Sequence, residues 1–294
     1  MAKLLLGKKV TAALNARLQA RAEALKKRGV RPKLAIVRCG EDPSDLSYER
    51  GAVSRAELIG VDVQKHALPG DATKEALIDL IRTLNADDAI HGVLLFRPLP
   101  GHLKACQSEI FNALDPAKDV DCMTDLSNAG VFEGRSDLGF PPCTPQACME
   151  ILDHYGIDCK GKKAVVIGRS LVVGKPLAMM LMGRHATVTV CHTRTLDVPG
   201  EARAADILVT SAGALGSLTG ACVKPGQIVI DVSVNWDPEK INAKGGRGAI
   251  AGDAVFEEVE PIVEAITPVP GGVGSVTTSV LIGHVIEAAE RASR

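Results

Sequence analysis

The stretch KKAVVIGRSLVVGKP (residues 162–176) decides the fold class. An apolar run leads into a turn at Gly168, and a helical pattern begins near Val173. Glycine at 168 allows a tight turn, and Gly174 allows the helix to approach the sheet or a phosphate closely. Amide groups at that helix N-terminus would favour a pyrophosphate. The stretch therefore predicts a nucleotide-binding turn. The G-x-G-x-x-G spacing is absent, however, and an ordinary glycine turn of an α/β protein remains an alternative.

Patterns typical of strands and helices alternate along the rest of the chain. The strand patterns, in order, are KLAIVRC, VDVQKHAL, HGVLLF, KKAVVIG, ATVTVCH, ADILVTSAG and GQIVIDVSV. Helical patterns lie between most of them, which is typical of βαβ units and a parallel sheet. The length of 294 residues exceeds one average domain. We therefore predict an α/β protein of two lobes, with a boundary near Pro141.

Composition and charge exclude several classes of protein. A formal charge of −1 gives no electrostatic footprint for nucleic acid or an anionic membrane. No run approaches the roughly 18 apolar residues of a membrane span, and the N-terminus lacks a signal-peptide layout. The eight cysteines form no C-x-x-C and have no histidine at zinc spacing. We expect a cytoplasmic protein with reduced thiols, no metal, no nucleic-acid partner and no membrane partner.

The segment VCHTRT (190–195) lies where a dinucleotide site meets the adenosine ribose. An NAD site usually places a carboxylate there, whereas this segment has no acid. With Arg169 and Ser170, the side chains of residues 192–195 would suit an additional 2′-phosphate. The sequence therefore favours NADP over NAD, with a solvated loop charge as the alternative role of Arg194.

Several segments together resemble the methylenetetrahydrofolate dehydrogenase/methenyltetrahydrofolate cyclohydrolase family. They are PPCTP (141–145), VVIGRSLVVGKPLA (165–178), TVTVCHTRT (187–195), VKPGQIVIDVSVN (223–235) and ITPVPGGVG (266–274). The resemblance implies two α/β lobes with a cleft between them, and a homodimer. It implies a folate-binding catalytic domain at residues 1–140, completed by a C-terminal helix at 275–294. Residues 141–274 would form a Rossmann-like NADP-binding domain.

The resemblance also implies the residues of the site. Catalytic roles would fall to Tyr48 and Asp121. Substrate contacts are implied at Tyr48, Ala52, Leu95, Phe96, Arg97, Asp121, Pro270, Gly271 and Gly272. Cofactor contacts are implied at Thr144, Gly168, Arg169, Ser170, Val173, Gly174, His192, Thr193, Arg194, Thr195, Val234 and Thr277.

The chain departs from the family pattern mainly on the folate side. The family's helix carries Tyr-x-x-x-Lys, and alignment on Tyr48 places Ala52 at the lysine. The family's Val-Gln-Leu-Pro-Leu-Pro is LFRPLP here, so that Phe96 replaces the glutamine that partners this lysine. Its Asp-Val-Asp-Gly ends in Cys122 here, and Ser275 stands where proline is usual. Losing both members of one polar pair is physically coherent, because one left alone would lack a partner.

The implied reaction is the NADP-dependent oxidation of methylenetetrahydrofolate to methenyltetrahydrofolate by hydride transfer. Positioning two rings is its main requirement, whereas hydrolysis of the methenyl group needs an activated water and a proton shuttle. Because Ala52 cannot move a proton, we expect a dehydrogenase with little or no cyclohydrolase activity. Two alternatives remain. One is a bifunctional enzyme in which another residue replaces the lysine, and the other is a non-catalytic protein that binds folate or NADP.

Overall fold

The computed structural model describes residues 1–241 and 245–293. The chain divides into two compact units. Unit 1 comprises Met1–Thr11 and Thr144–Thr277, and unit 2 comprises Ala12–Cys143 and Thr278–Arg294. Which domain binds which ligand stays a prediction. No helix in the described ranges is long and apolar enough to cross a membrane.

The strands and helices are numbered in chain order. The strands are β1 (Lys3–Leu4), β2 (Lys33–Cys39), β3 (Asp62–Leu68), β4 (Gly92–Leu95), β5 (Lys163–Ile167), β6 (Thr187–Cys191), β7 (Ile207–Thr210), β8 (Ile228–Asp231), β9 (Asn235–Ile241), β10 (Arg247–Ala251) and β11 (Ala265–Ile266). The α-helices are α1 (Gly7–Lys27), α2 (Pro43–Ile59), α3 (Lys74–Ala86), α4 (Gln107–Asn112), α5 (Asp125–Glu133), α6 (Cys143–His154), α7 (Gly174–Gly183), α8 (Val198–Ala204), α9 (Phe256–Val259) and α10 (Thr277–Ala292).

Unit 1 is built on a parallel sheet with the strand order β1-β11-β8-β7-β5-β6. Strand β5, next to the edge strand β6, pairs with β6 on one side and with β7 on the other. The direction of winding therefore reverses at β5, and ligands of open parallel sheets bind beyond the carboxyl ends of the strands at such a point. The strand is fully buried from Ala164 to Val166, as its unbroken apolar run predicts. This architecture confirms the predicted α/β fold class.

Unit 2 contains a smaller parallel sheet in which β2 lies between β3 and β4. Residues Leu34–Val37 of β2 are completely buried. The next helix, α2, starts after Asp42, whose side chain accepts a hydrogen bond from the backbone N–H of Ser44, and it ends at Gly60 with φ +93°. These caps satisfy backbone groups that the helix cannot pair internally. They fix where α2 begins and therefore how it presents Tyr48.

The last helix begins later than residue 275, where the sequence placed its start. Residues Val273–Ser275 form a 3-10 turn, and α10 runs from Thr277 to Ala292. The Ser275 hydroxyl donates to the carbonyl of Gly272 at 2.7 Å, which ties this residue to the turn.

Candidate active site

The glycine turn after β5 excludes side chains at two positions. Gly168 has φ +124°, and a Cβ on it would lie 2.5 Å from the carbonyl oxygen of Ser211. A Cβ on Gly174 would collide with the carbonyl of Gly168. Backbone therefore packs directly on backbone at the N-terminus of α7, the close approach that phosphate-binding turns use. The residues present fit a dinucleotide.

Ser170 organises the same turn. Its hydroxyl accepts hydrogen bonds from the backbone N–H groups of Val173, at 3.0 Å, and Gly174, at 3.4 Å. Arg169 beside it is exposed. The sequence assigned both residues to the cofactor. The structure gives Ser170 a further role, since its side chain holds the start of the helix.

The loop after β6 is closed by its own side chains. The backbone N–H of His192 donates to the Thr195 hydroxyl at 3.0 Å, and that of Arg194 donates to Nδ1 of His192 at 3.1 Å. Thr193 and Arg194 are exposed. The next carboxylate along the chain, Asp197, caps α8 by accepting from Gly200 N–H at 2.8 Å. The loop thus presents a cation and hydroxyl groups, while the nearby acid is engaged elsewhere.

Asp253 is a buried carboxylate that the sequence did not reveal as part of this region. It is completely buried. Its oxygens accept hydrogen bonds from Thr210 Oγ1 (2.7 Å), Ser233 Oγ (2.7 Å), Ala212 N (2.8 Å), Ala214 N (2.8 Å) and Asn235 Nδ2 (3.1 Å). These donors lie at the carboxyl end of strand β7 or in the segments that follow β7 and β8. One side chain therefore fixes the loops at the carboxyl edge of the sheet, where a cofactor would bind.

Asp231, at the end of β8, is held beside this carboxylate. Its oxygens accept from the backbone N–H of Ala254 at 2.9 Å and of Asp253 at 3.2 Å. Burial is the largest influence on it and raises the pKa of Asp231 to about 6.

The remaining predicted cofactor contacts lie in separate parts of unit 1. Thr144 lies at the start of α6, Val234 is exposed after β8, and Thr277 donates to the Gly274 carbonyl at 3.2 Å. Within the described residues, none of these three has a hydrogen bond to the glycine turn. The segment Pro270–Gly272 also belongs to unit 1.

In unit 2, two of the predicted substrate residues are aromatic rings in contact with each other. Tyr48 on α2 contacts Phe96, which follows β4, edge to face, with ring centroids 5.9 Å apart and an interplanar angle of 87°. Tyr48 is half-buried and Phe96 is buried, as is Leu95 before it. Ala52 lies one turn along α2 from Tyr48, on the same side of the helix, and is completely buried. The position of the family's lysine is therefore an enclosed one filled by a methyl group.

Asp121 forms an ion pair with Arg97. Nη2 of Arg97 donates to Oδ2 of Asp121 at 3.0 Å and to its backbone carbonyl at 3.2 Å. The other carboxylate oxygen accepts from the backbone N–H of Cys143 at 3.0 Å. Both side chains are partly accessible, with 22% of Arg97 and 23% of Asp121 exposed. The pair is therefore oriented by the protein and still open to a ligand.

The turn that carries Asp121 is shaped by Asp119. This carboxylate is completely buried and accepts from Met123 N and Thr124 N, each at 2.8 Å, and from the Thr124 hydroxyl at 2.9 Å. Cys122 adopts φ +56°, a left-handed conformation that favours glycine. Position 122 thus has a conformation that a glycine would adopt at lower cost, and a cysteine holds it here.

Two further side chains bind the backbone carbonyl of Val120, the residue before Asp121. His284 on α10 donates from Nδ1 to the carbonyl of Val120 at 2.9 Å, and the Cys143 thiol donates to the same oxygen at 3.4 Å. Phe140 stacks on the His284 ring at 5.1 Å. Burial lowers the pKa of His284 and raises the pKa of Cys143, so both remain neutral supports. In the sequence, Cys143 was noted only as part of the motif PPCTP, and no pattern pointed to His284.

Within the described residues, no group of three or more His, Cys, Asp or Glu side chains is placed to hold a metal ion.

Comparisons with known proteins cover nearly the whole chain. Residues 5–121 match the model of the tetrahydrofolate dehydrogenase/cyclohydrolase catalytic domain, and residues 142–293 match that of its NAD(P)-binding domain. The bifunctional protein FolD of Carboxydothermus hydrogenoformans is 48% identical over 290 residues, covering 99% of this chain and 98% of that protein. FolD of Clostridioides difficile is 45% identical over 282 residues, covering 96% of this chain and 94% of that protein.

Solved structures of the same family also superpose on nearly the whole chain. The bifunctional enzyme FolD from Campylobacter jejuni superposes with a TM-score of 0.92 at 36% identity, covering 99% of each chain. The Trypanosoma brucei methylenetetrahydrofolate dehydrogenase-cyclohydrolase, complexed with NADP cofactor and inhibitor, has a TM-score of 0.91 at 32% identity, covering 100% of this chain and 99% of that one. The chain belongs to the tetrahydrofolate dehydrogenase/cyclohydrolase family.

Proposed function

We propose that this protein is an NADP-dependent methylenetetrahydrofolate dehydrogenase. The observation that carries the proposal is the glycine turn of unit 1, where Gly168 and Gly174 leave no room for a Cβ at the start of α7. A turn of this kind lets the backbone approach a phosphate closely. NADP accepts the hydride, and the protein has to hold and orient the two rings.

The preference for NADP rests on charge. Arg194 is exposed in a loop whose residues 192–195 contain no carboxylate, and Asp197 is occupied in capping α8. A guanidinium would form a charge-assisted bond with a 2′-phosphate. A carboxylate, which would bind the 2′-hydroxyl of NAD, is missing from this segment. The relative from Trypanosoma brucei was solved with NADP, in agreement with this preference.

We assign the folate to Tyr48 and Asp121. The Tyr48 ring is half-buried and packs nearly perpendicular to the Phe96 ring, and an aromatic ring positioned in this way suits a planar ligand. The Asp121 carboxylate is oriented by Arg97 and by the backbone of Cys143. Oxidation of methylenetetrahydrofolate leaves a cation stabilised by the folate's own nitrogens. Orientation by these groups therefore suffices, and no general base is required.

We further propose that hydrolysis of methenyltetrahydrofolate is slow or absent. Hydrolysis needs a placed base, which typically contributes ~10²–10⁴-fold. The lysine position is Ala52, completely buried, and the glutamine position is the aromatic ring of Phe96. Neither side chain can take up or deliver a proton.

A bifunctional enzyme is the second candidate. It is favoured by the relatives, because proteins 48% and 45% identical to this chain are both named bifunctional. On that interpretation another residue would replace the lysine. The names of these relatives therefore favour hydrolysis of methenyltetrahydrofolate, whereas the side chains of Ala52 and Phe96 argue against it.

One assay distinguishes these candidates. Purified protein receives methylenetetrahydrofolate with NADP or with NAD, and reduced cofactor and methenyl product are followed separately. Formation of NADPH with stoichiometric methenyltetrahydrofolate supports the proposal. NADPH with methenyl product that decays faster than in buffer supports the bifunctional enzyme. No reduced cofactor under any condition would contradict both.

We propose, from the family resemblance, that the protein is a cytoplasmic homodimer. Analytical ultracentrifugation tests the dimer, and a monomer at micromolar concentration would contradict it.

A further inference from the structure

We propose that Arg97 determines specificity by selecting 2-amino-4-oxo pteridines over 2,4-diamino pteridines. This inference rests on the proposed function, since it concerns how the folate ring would be recognised. The family motif to which the chain was compared has leucine where this chain has Arg97.

The donors of Arg97 are only partly used. Nη2 makes both contacts to Asp121, one to Oδ2 at 3.0 Å and one to the backbone carbonyl at 3.2 Å. Within the described part of the chain, Nε and Nη1 make no hydrogen bond. A guanidinium has five N–H donors in a fixed plane. Its position is therefore set by Asp121, and three donors are left for a ligand.

The acceptors of Asp121 are also partly used. A carboxylate offers about four lone-pair positions. Arg97 takes one on Oδ2, and the backbone N–H of Cys143 takes one on Oδ1 at 3.0 Å. Exposures of 22% and 23% for the two side chains leave the remaining positions reachable. The ion pair thus presents cationic donors beside anionic acceptors on one surface.

This order of donors and acceptors matches one edge of a pteridine. A 2-amino-4-oxo ring presents an oxygen acceptor, then a ring N–H donor, then an amino donor. The oxygen would face Arg97, and the two donors would face Asp121. A 4-amino ring would present a donor to the guanidinium and a ring acceptor to the carboxylate. A site built to hydrogen-bond one pattern rejects the analogue that leaves its polar groups unpaired.

The competing explanation is that Arg97 only occupies Asp121 and blocks it. The two explanations predict opposite effects when the arginine is removed. If Arg97 blocks the carboxylate, its loss frees an acceptor and tightens both classes of ligand. If Arg97 reads the 4-oxo group, its loss weakens the 4-oxo ligand selectively.

The test measures the dissociation constants of tetrahydrofolate and of its 2,4-diamino counterpart by calorimetry, on the full chain and on Arg97→Leu. We expect the preference for the 4-oxo ligand to fall by about tenfold or more, the loss of one charge-assisted bond. Arg82→Leu is the matched control. It removes another arginine of unit 2, exposed and paired with Asp79 at 3.4 Å, and should leave the preference unchanged.

The ratio of the two affinities would not change if Arg97 were merely structural, and thermal unfolding shows whether each variant is folded. If Arg97→Leu does not fold, Arg97→Lys carries the test. That variant keeps the charge but loses the planar fork, so we expect a smaller decrease in the same direction. Equal affinities in the unaltered protein, or an unchanged ratio in both variants, would overturn the inference while the dehydrogenase assay still stands. If the unaltered protein binds neither ligand, the folate assignment fails as well.

Discussion

Restoring two side chains should create cyclohydrolase activity, and neither alone should suffice. The changes are Ala52→Lys and Phe96→Gln. Ala52 is completely buried one turn from Tyr48, so the lysine stem enters a space that holds a methyl group. Overpacking of this kind costs about 1–3 kcal/mol. Replacing Phe96 also removes its edge-to-face contact with Tyr48, made at 5.9 Å, worth ~0.5–1.5 kcal/mol.

The rate effect follows from the partner that each variant has. In Ala52→Lys alone, the amine faces an aromatic ring and has no amide to orient it, so it loses its proton or turns away. In the double variant the glutamine can hold it. Groups that act as one unit have coupling energies of about 0.5–3 kcal/mol, which is roughly 2- to 150-fold in rate beyond the product of the single effects.

The assay follows the decay of methenyltetrahydrofolate, corrected for the buffer rate, for the four members of the double-mutant cycle. The matched control is Ala56→Lys with Phe96→Gln, because Ala56 is also completely buried but lies one turn further along α2. Equal activity in the control would mean that any buried lysine suffices. Hydrolysis by the unaltered protein at a rate comparable with its dehydrogenase would refute the reasoning outright.

Other substitutions test the remaining assignments. Arg194→Ala should reduce the NADP-over-NAD ratio of kcat/KM about tenfold or more, with Arg82→Ala unchanged as a control; equal kcat/KM for both cofactors before mutation would contradict the charge argument. Asp121→Ala should raise the folate KM or lower kcat, with unfolding free energy changed by no more than about 1 kcal/mol; a large stability loss with normal kinetics would indicate a structural role. Asp253→Asn should lower the unfolding free energy by about 2–4 kcal/mol, because an amide nitrogen would face donors; denaturant midpoints check this. The pKa of Asp231 rises from 3.8 unfolded to about 6 folded, so the folded state holds this proton more tightly. Its contribution, about 3 kcal/mol, is present below pH ~4 and lost as the pH rises to ~6. Asp231→Asn should remove that decline. If the variant and the unaltered protein show the same dependence of unfolding free energy on pH, the role of Asp231 in this decline is excluded.

Local sequence patterns predicted the strand, turn and helix at the nucleotide-binding turn of unit 1. The run from Lys162 to Pro176 contains a buried strand, a turn and a helix start within fifteen positions, and each depends on near neighbours in sequence. The structure places β5 and the start of α7 within this run, with glycine where the backbone allows nothing else. The fold class could be predicted because the spacing of apolar residues and the positions of glycines are local properties of the sequence.

The contacts that shape the candidate site are not local. Arg97 and Asp121 are 24 residues apart, and Asp253 gathers donors that lie 18 to 43 residues away. Cys143 contributes a backbone N–H, a group that every residue except proline has, so its identity gives no signal. The family motifs gave positions for Tyr48 and Asp121 but could not indicate that Arg97 would pair with the latter. Their roles toward a ligand stay predictions.

The turn held by Asp119 shows how one buried carboxylate can make a residue with a side chain acceptable at a glycine-favouring position. A left-handed conformation costs a residue with a side chain ~1–2 kcal/mol relative to glycine. Here Cys122 adopts it at φ +56° while Asp119, completely buried, takes three donors from Met123 and Thr124. That network fixes the turn whatever occupies position 122, so it makes the loss of the glycine tolerable. A turn without the Asp119 network would have no such tolerance. Position 122 therefore accepts a residue other than glycine because of the carboxylate at position 119.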